Sequence, residues 1–302
     1  MKIYRHIFHY ISAIAISTVF CNCENSEPTV SDQEMPIVVE GWIENGVSPV
    51  VMVTHAIDLT QDSVALDNVV EKWCRVSIID DKGQHILSGR LDKNYMPSFI
   101  YTSTSFKGEI GKQYRLRIEL ENQTIEAEST ILPAPSISRL EVVPVENNDS
   151  LFFIKTYCSG IKDDLHYKVF VRAGNEDLRY YGSFLGTFEG NEYDADNGIT
   201  VTRGIRPTYE EDNYSHFFKS GDLVRVKIAV MQPDIYDFWK IYDNTVSLSN
   251  NILFSFSSNL PSNLYPVSNG SEESYGIGNT SIPDPLGYWA AYGISESVVK
   301  IR

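Results

Sequence analysis

The feature that most constrains this fold is an alternation of apolar and polar residues that begins at Ile37 and continues through most of the chain. Successive side chains of a β-strand point to opposite faces of a sheet, so a period of two favours strands with one buried face. Residues 37 to 43, IVVEGWI, and residues 113 to 120, QYRLRIEL, show the pattern. The runs are short and are separated by turn residues, which predicts an all-β fold.

Seven of these runs lie between residues 37 and 130. The links between them include Asn45-Gly46 and Asp81-Lys82-Gly83, which supply the residue types that tight turns require. Seven short strands in a segment of this length predict an N-terminal immunoglobulin-like β-sandwich over residues 36 to 133. The sequence Leu132-Pro133-Ala134-Pro135 then interrupts the alternation and marks the predicted domain boundary.

The second predicted domain, residues 134 to 302, is larger and also rich in β-strands. Residues 186 to 221 lack a clear period, which predicts long loops, and residues 287 to 302 are interpreted as a closing pair of strands. One short amphipathic helix is predicted near residues 234 to 249, with Asp234 as its cap. Its apolar face, interpreted as core packing, carries Ile235, Phe238, Trp239, Tyr242 and Val246.

Residues 1 to 22 have the pattern of a targeting segment. Lys2 and Arg5 precede an uncharged run that ends at Phe20 and is too short to cross a bilayer as a helix. Cysteines follow at positions 21 and 23, which predicts a bacterial lipoprotein signal peptide and acylation of Cys23 by chains such as palmitate. Cys21 is the alternative acceptor, although cleavage there would place Phe20 beside the scissile bond. An ordinary secretory signal with two incidental cysteines is the competing interpretation.

Residues 23 to 35 are polar and acidic, which predicts a flexible tether between the lipid and the folded domains. The chain has 25 Lys and Arg residues against 40 Asp and Glu residues, a net charge of −15. Removal of residues 1 to 22 takes away Lys2 and Arg5 and no acidic residue, so the charge falls to −17. Such a chain repels phosphate backbones, which argues against nucleic acid as a partner and leaves acylation as the predicted membrane contact.

No sequence motif assigns a reaction to this chain, which we therefore interpret as a non-enzyme. The four histidines of the mature chain stand singly, without the spacing of metal ligands. Four carboxylates lie close together in a predicted loop, as oxygen-ligated calcium requires, but they do not follow the EF-hand spacing. A solvated loop is the default interpretation and calcium the alternative; no other cofactor is expected. The four residues are Glu189, Glu192, Asp194 and Asp196.

Tyrosines near the predicted loops indicate a binding surface. Their rings supply contact area and their hydroxyl groups supply hydrogen bonds, as interfaces and sugar-stacking sites both require. Packing in the core or at strand edges is the competing interpretation. The candidate binding face comprises Tyr180, Tyr181, Tyr193, Tyr209 and Tyr214.

Two cysteines, Cys74 and Cys158, remain in the folded part of the chain, one in each predicted domain. An oxidising envelope would permit a disulfide between them, but their separation in sequence does not indicate that they lie within bridging distance. Two separate buried thiols are the favoured interpretation.

Six short motifs occur together along the mature chain: IVVEGWI at 37 to 43, VSIIDDKG at 76 to 83, GKQYRLRI at 111 to 118, Phe238-Trp239, LPSN at 260 to 263 and GYWAAY at 287 to 292. With these motifs the chain resembles the bacterial lipoprotein family known as domain of unknown function 4249. The resemblance extends through the mature chain and implies an outer-membrane partner of a TonB-dependent transporter, without established catalytic residues. The chain departs from the family pattern at Cys74 and in a longer segment between Asn263 and Gly287.

With this resemblance, the expected function is that of a lipid-anchored accessory protein of a TonB-dependent transporter. It would capture or help to admit a small nutrient, glycan or peptide at the outer membrane, on the cell surface or on the periplasmic face. The alternatives are an envelope hydrolase that uses loop carboxylates between Gly186 and Gly221, and a structural lipoprotein of envelope assembly.

Overall fold

A computed structural model of the protein describes residues 35–57, 68–174, 179–204, 215–248, 260–267 and 282–302. Residues 35 to 302 belong to one compact unit. The described segments are mostly β-strand, arranged in several sheets with one α-helix, which confirms the all-β class and its sandwich-like packing. The predicted signal peptide, both candidate acylation cysteines and nearly all of the tether lie outside these segments.

Three sheets and one helix make up the described fold. The strands are β1 (Ile37–Glu44), β2 (Val50–His55), β3 (Arg75–Asp80), β4 (Gly83–Ile86), β5 (Ser88–Leu91), β6 (Phe99–Thr102), β7 (Gln113–Glu119), β8 (Thr124–Thr130), β9 (Ser136–Val145), β10 (Asn148–Ser159), β11 (His166–Ala173), β12 (Tyr181–Glu189), β13 (Ile199–Val201), β14 (Phe218–Lys219), β15 (Leu223–Met231), β16 (Tyr265–Val267) and β17 (Leu286–Lys300), and the helix is α1 (Pro233–Leu248).

Eight strands form a large sheet in the order β12-β11-β15-β17-β1-β2-β6-β5. A five-stranded sheet has the order β16-β8-β7-β3-β4, and a four-stranded sheet contains β9, β10, β13 and β14. The stretch from residue 186 to 221, predicted as long loops, thus contains the end of β12 and the short strands β13 and β14. Strands β13 and β14 are too short for a period of two to be recognised in the sequence.

Strand β17 is one continuous strand of 15 residues, where the sequence indicated a closing pair. Polar residues at Ser295, Glu296 and Ser297 continue the pairing with β15 instead of forming a turn. On its other edge β17 pairs in parallel with β1, the first strand of the fold. The two ends of the described chain therefore meet at the centre of the large sheet.

One face of the large sheet packs against the two smaller sheets around separate hydrophobic cores. The first core is built mainly from β1 to β8 and includes Trp289 of β17, and the second is built mainly from β10 to β15. Residues 132 to 135 link β8 to β9, so the predicted boundary at Pro133 falls between the two cores. The large sheet nevertheless contains strands from both sides of this boundary.

Successive side chains of β1 point alternately to the two faces of this sheet. Val39 and Ile43 are fully buried in the first core. Gly41 lies between them and leaves room for the Trp289 indole, since a Cβ atom there would lie 3.0 Å from that ring. Glu40 and Trp42 point to the opposite face, which carries α1.

The predicted helix is present as α1, from Pro233 to Leu248. Proline suits the first helical position because its missing N–H group would have no partner there. Ile235 and Phe238 are buried against the large sheet, as the apolar face predicts. No helix among the described residues is both long and apolar enough to cross a membrane.

A buried ion pair holds α1 on the sheet. Lys168 of β11 is fully buried, and its Nζ donates to both carboxylate oxygens of Asp243 in α1 at 2.7 Å. Thr187 of β12 donates a third hydrogen bond to the same carboxylate at 2.6 Å. Burial lowers the pKa of Lys168, although Asp243 opposes this shift. Loss of either partner would leave a buried charge uncompensated, so this pair fixes the position of the helix.

We predict that Gly293→Ala destabilises the protein by about 2 kcal/mol or more, a typical cost for a steric overlap in a core. A Cβ atom at Gly293 in β17 would overlap the backbone carbonyl of Leu132. Urea unfolding followed by circular dichroism measures the loss. Gly160→Ala is the control, because a Cβ atom at Gly160 would contact no other atom. Its only expected cost is the backbone strain of a non-glycine residue at φ +83°, about 1 kcal/mol. A smaller loss for Gly293→Ala than for Gly160→Ala would contradict the packing of β17.

Candidate ligand-binding site

A cavity of about 540 Å³ opens on the face of the large sheet that carries α1. This volume lies within the range of small-molecule sites, about 300 to 1,000 Å³. Strands β1, β2, β11, β12, β15 and β17, helix α1 and residues 94 to 96 contribute to its walls. Aromatic side chains dominate the lining: Trp42, Tyr95, Phe170, Tyr180, Tyr181, Phe184, Trp239, Tyr242, Tyr288 and Tyr292.

The register of β1 and β17 builds the floor of the cavity. Glu40 lies directly beside Tyr288, and Glu44 lies directly beside Tyr292. Alternation of side chains places both pairs on the same face of the sheet, opposite the first core. The parallel pairing of these two strands therefore brings acidic and aromatic residues from opposite ends of the chain to one place.

Glu40 is the carboxylate that faces the cavity most openly. Its side chain is exposed to the cavity, while protein surrounds it on the other sides. Burial raises the pKa of Glu40, and the hydrogen bond that it accepts from the Tyr288 hydroxyl at 3.2 Å opposes part of this shift. None of the ion pairs in the described segments includes Glu40. The charge of Glu40 is therefore not neutralised by a basic side chain in this part of the protein.

The other carboxylates of the cavity have basic partners. Lys227 of β15 donates to both oxygens of Glu44, at 2.8 and 2.9 Å, and both side chains are buried. Asp243 is held by Lys168, as described for the helix. Glu296 lies 3.3 Å from Arg225 and also accepts a hydrogen bond from the Tyr180 hydroxyl. These ion pairs form part of the cavity walls. Among the described carboxylates of the lining, Glu40 is the one without a basic partner.

Contacts among the aromatic rings fix the walls of the cavity. The Trp239 indole N–H donates to the Tyr292 hydroxyl at 2.8 Å, and the Trp239 and Tyr242 rings meet edge to face at 5.3 Å between centroids. Trp239 also lies 5.9 Å from the Tyr288 ring. Burial raises the pKa of Tyr242 to about 12, and it also raises the pKa of Tyr288 well above its usual range. These phenols are therefore protonated at neutral pH and contribute hydroxyl groups to the cavity.

Two of the five tyrosines predicted as a binding face line this cavity. Tyr180 packs against the Lys227 ammonium group, which lies 4.0 Å from the ring centroid, and Tyr181 is its neighbour in the cavity wall. Tyr193 lies elsewhere, at the second core, where its hydroxyl group bonds to the backbone N–H and C=O of Cys158 at 2.8 and 3.0 Å. Tyr209 and Tyr214 lie outside the described residues.

The acidic loop carboxylates serve mainly local contacts. Asp194 accepts hydrogen bonds from the backbone N–H groups of Asp196 and Asn197, at 2.8 and 3.2 Å, and these close a turn. Glu192 caps the short 3-10 helix Gly190–Glu192 by accepting from the Glu189 N–H. Among the residues that the structure describes, no group of three or more His, Cys, Asp or Glu side chains is placed to hold a metal ion.

Cys74 and Cys158 are free thiols in different cores. The Cys74 thiol donates to the Tyr101 hydroxyl at 3.3 Å. Burial raises the pKa of Cys74 to about 11 and that of Cys158 to about 12, so both are protonated thiols near neutral pH.

Sequence reasoning missed the centre of the cavity. A charged residue at Glu40 within an apolar run was a signal, but a period of two does not show what covers the second face of a strand. Trp239 and Tyr242 were interpreted as core packing. Trp239 does pack against the core that contains Ile235 and Phe238, and both Trp239 and Tyr242 also line the cavity. The side chain of Val246 lies outside the described part.

A protein-family model described as Domain of unknown function (DUF4249) matches residues 24–280, which is most of the chain. The chain belongs to this family. The matched part of this DUF4249 protein contains Glu40 and Trp42 of the cavity floor and the cavity-lining residues of α1. No curated protein matches the chain. The geometry of the cavity is therefore the main guide to function.

We predict that Glu40→Gln raises the free energy of unfolding at pH 8. Burial raises the pKa of Glu40 in the folded protein, so the folded state binds more protons than the unfolded state between the two pKa values. Stability contributed by this group consequently falls as pH rises through that window, and glutamine removes the loss. The advantage of the variant shrinks as pH falls towards the unfolded pKa of about 4.3. Urea titrations at pH 8 and at pH 4.5 measure both effects.

Glu44→Gln is the matched control on the same face of β1. This substitution leaves Lys227 buried without its counter-charge. It is expected to lower the free energy of unfolding by about 3 kcal/mol, as the loss of one partner of a buried ion pair usually does. Equal and destabilising effects of the two substitutions would contradict the distinction between Glu40 and Glu44.

Proposed function

We propose that this DUF4249 protein is a lipid-anchored outer-membrane binding protein that captures a small ligand in its aromatic cavity for a TonB-dependent transporter. The aromatic cavity over the β1–β17 seam is the observation that carries this proposal. Its walls combine a large apolar surface with a few polar groups that point inward, as small-molecule sites do.

The charges of the cavity favour binding over hydrolysis. Hydrolysis of a glycosidic bond uses two carboxyl groups that flank the reacting bond. Here Glu44, Asp243 and Glu296 are held by basic partners, which leaves Glu40 alone. Among the loop carboxylates of the hydrolase alternative, Glu192 is engaged in a helix cap and Asp194 in a turn. These contacts support a non-enzymatic role.

The predicted signal peptide and acylation site support the membrane anchor in this proposal, and the family resemblance supports the transporter as a partner. The predicted acylation of Cys23 would anchor the protein, and the acidic residues that follow would space the fold from the bilayer. A net charge of −17 after processing leaves lipid, rather than a basic surface, as the means of attachment.

We predict that a TonB-dependent transporter co-purifies with the full-length protein. The tagged protein is extracted from membranes of its native host in a mild nonionic detergent, and the recovered proteins are identified by mass spectrometry. An untagged strain provides the background. Recovery of the tagged protein without any transporter would contradict the proposal, and enrichment of envelope-assembly machinery in its place would favour the structural alternative.

We predict that Cys23→Ser moves the protein from the membrane fraction to the soluble fraction, because it removes the acyl chains. Cys21→Ser is the matched control and is expected to leave the protein in the membrane. Immunoblots of the two fractions, with labelling by a palmitate analogue, measure both effects. Release by Cys21→Ser alone would assign acylation to Cys21, and membrane retention of both single variants and of the double variant would refute lipid anchoring.

A further inference from the structure

The uncompensated carboxylate of the cavity identifies the chemical class of the ligand. We infer that the cavity binds a small organic cation, whose ammonium group lies against Glu40 and the aromatic rings around it. This inference rests on the proposed function, because it names the ligand of the same cavity.

The balance of charge in the cavity is the first argument. Each of the carboxylates Glu44, Asp243 and Glu296 has a lysine or arginine partner. Glu40 accepts a hydrogen bond from a tyrosine, and none of the described basic side chains pairs with it. The Glu40 side chain is exposed to the cavity, so a ligand that enters can reach this carboxylate. A cationic ligand would supply the missing charge.

The rings around Glu40 are the second argument. Tyr288 lies directly across the strand pair, and Trp42 lies two residues along the same face of β1. Trp239 and Tyr242 of α1 line the same cavity, and Trp239 lies 5.9 Å from the Tyr288 ring. Aromatic faces attract ammonium groups, most strongly when water is excluded, and groups of such rings recognise quaternary amines. The cavity combines such rings with a carboxylate.

The walls already hold protein cations in this manner. The Lys168 ammonium group lies 4.9 Å from the Trp239 ring, and the Lys227 ammonium group lies 4.0 Å from the Tyr180 ring. Both lysines are neutralised by carboxylates, so neither offers an anionic ligand a free positive charge. Arg179 is a further basic side chain of the lining. At Glu40 itself, an anion would be repelled and a cation attracted.

The affinity for such a cation depends on pH in a defined direction. A quaternary ammonium ion keeps its charge at every pH, so the change arises from the protein. The titratable and charged groups of the cavity around Glu40 are Tyr288, Tyr292 and Glu296 of β17, Tyr242 and Asp243 of α1, Arg179, and the Glu44–Lys227 pair. These three tyrosines have raised pKa values and remain neutral, and Glu44, Asp243 and Glu296 each have a basic partner. Because the surrounding protein raises the pKa of Glu40, affinity falls with decreasing pH earlier than at a carboxylate with an ordinary pKa.

The test compares a cation with its neutral isostere. Choline and 3,3-dimethylbutan-1-ol have the same shape, but a carbon atom replaces the charged nitrogen in the second. The pair of 2-phenylethylamine and 2-phenylethanol extends the test to a primary amine. Titration calorimetry uses the full-length protein in a nonionic polyoxyethylene detergent at pH 7.5. At least one cation is expected to bind about tenfold or more tightly than its neutral partner.

Two substitutions locate the effect. Glu40→Gln keeps the shape and the acceptor for Tyr288 and removes the charge, so it is expected to weaken cation binding about tenfold or more and to leave the neutral partner unaffected. Glu109→Gln is the control, since this exposed carboxylate pairs with Lys82 outside the cavity and is expected to change neither affinity. Urea midpoints of both variants verify that they are folded.

The outcomes separate this inference from the proposed function. Equal binding of a cation and its neutral isostere, or unchanged cation binding in Glu40→Gln, overturns the inference and leaves a neutral ligand for the same cavity. Absence of binding by both cations at millimolar concentration also overturns it. If the transporter still co-purifies in these cases, the proposed function stands without a cationic ligand. If the transporter does not co-purify in these cases, the inference and the proposed function both fail.

Discussion

The parallel pairing of β17 with β1 is the contact on which the rest of this structure depends. It joins the last strand to the first and extends the large sheet from one core to the other. On one face, Trp289 fills the first core and donates its indole N–H to the Tyr114 carbonyl at 3.0 Å. On the other face, Tyr288 and Tyr292 form part of the cavity. A single register therefore contributes to the packing of the first core and sets the composition of the cavity.

The second constraint is the buried contact between Lys168 and Asp243. Charges in the interior are costly unless they are paired and hydrogen-bonded, and here Thr187 completes the pairing. This ion pair fixes α1 over the sheet, so that Trp239 and Tyr242 lie in the wall of the cavity. Glu40 lacks such compensation. The fold neutralises Glu44, Asp243 and Glu296 with basic side chains and leaves Glu40 without such a partner. We propose that a ligand explains this difference better than a role of Glu40 in stability does.

Local features of this fold could be predicted from the sequence, and its long-range contacts could not. The period of two and the turn residues predicted an all-β chain, and Pro233 with the spacing of Ile235 and Phe238 predicted α1. The register between β1 and β17 joins residues about 250 positions apart and leaves no local pattern. For the same reason Glu40 and Tyr288 could not be placed together. Tyr180 and Tyr193 illustrate the limit, since the same reasoning selected both and only the first lies in the cavity.

The central claim is that the cavity over the β1–β17 seam binds the ligand, and the four tryptophans of the chain test it directly. Trp42 and Trp239 line the cavity, Trp73 is 95% exposed elsewhere, and Trp289 is fully buried on the opposite face of the sheet. Fluorine NMR of the protein labelled with 5-fluorotryptophan resolves each site during a titration with choline or 2-phenylethylamine. The account predicts saturable shifts of the Trp42 and Trp239 resonances, with Trp73 and Trp289 unchanged. Saturable shifts confined to Trp73 or Trp289, or no shift at any of the four, would contradict it.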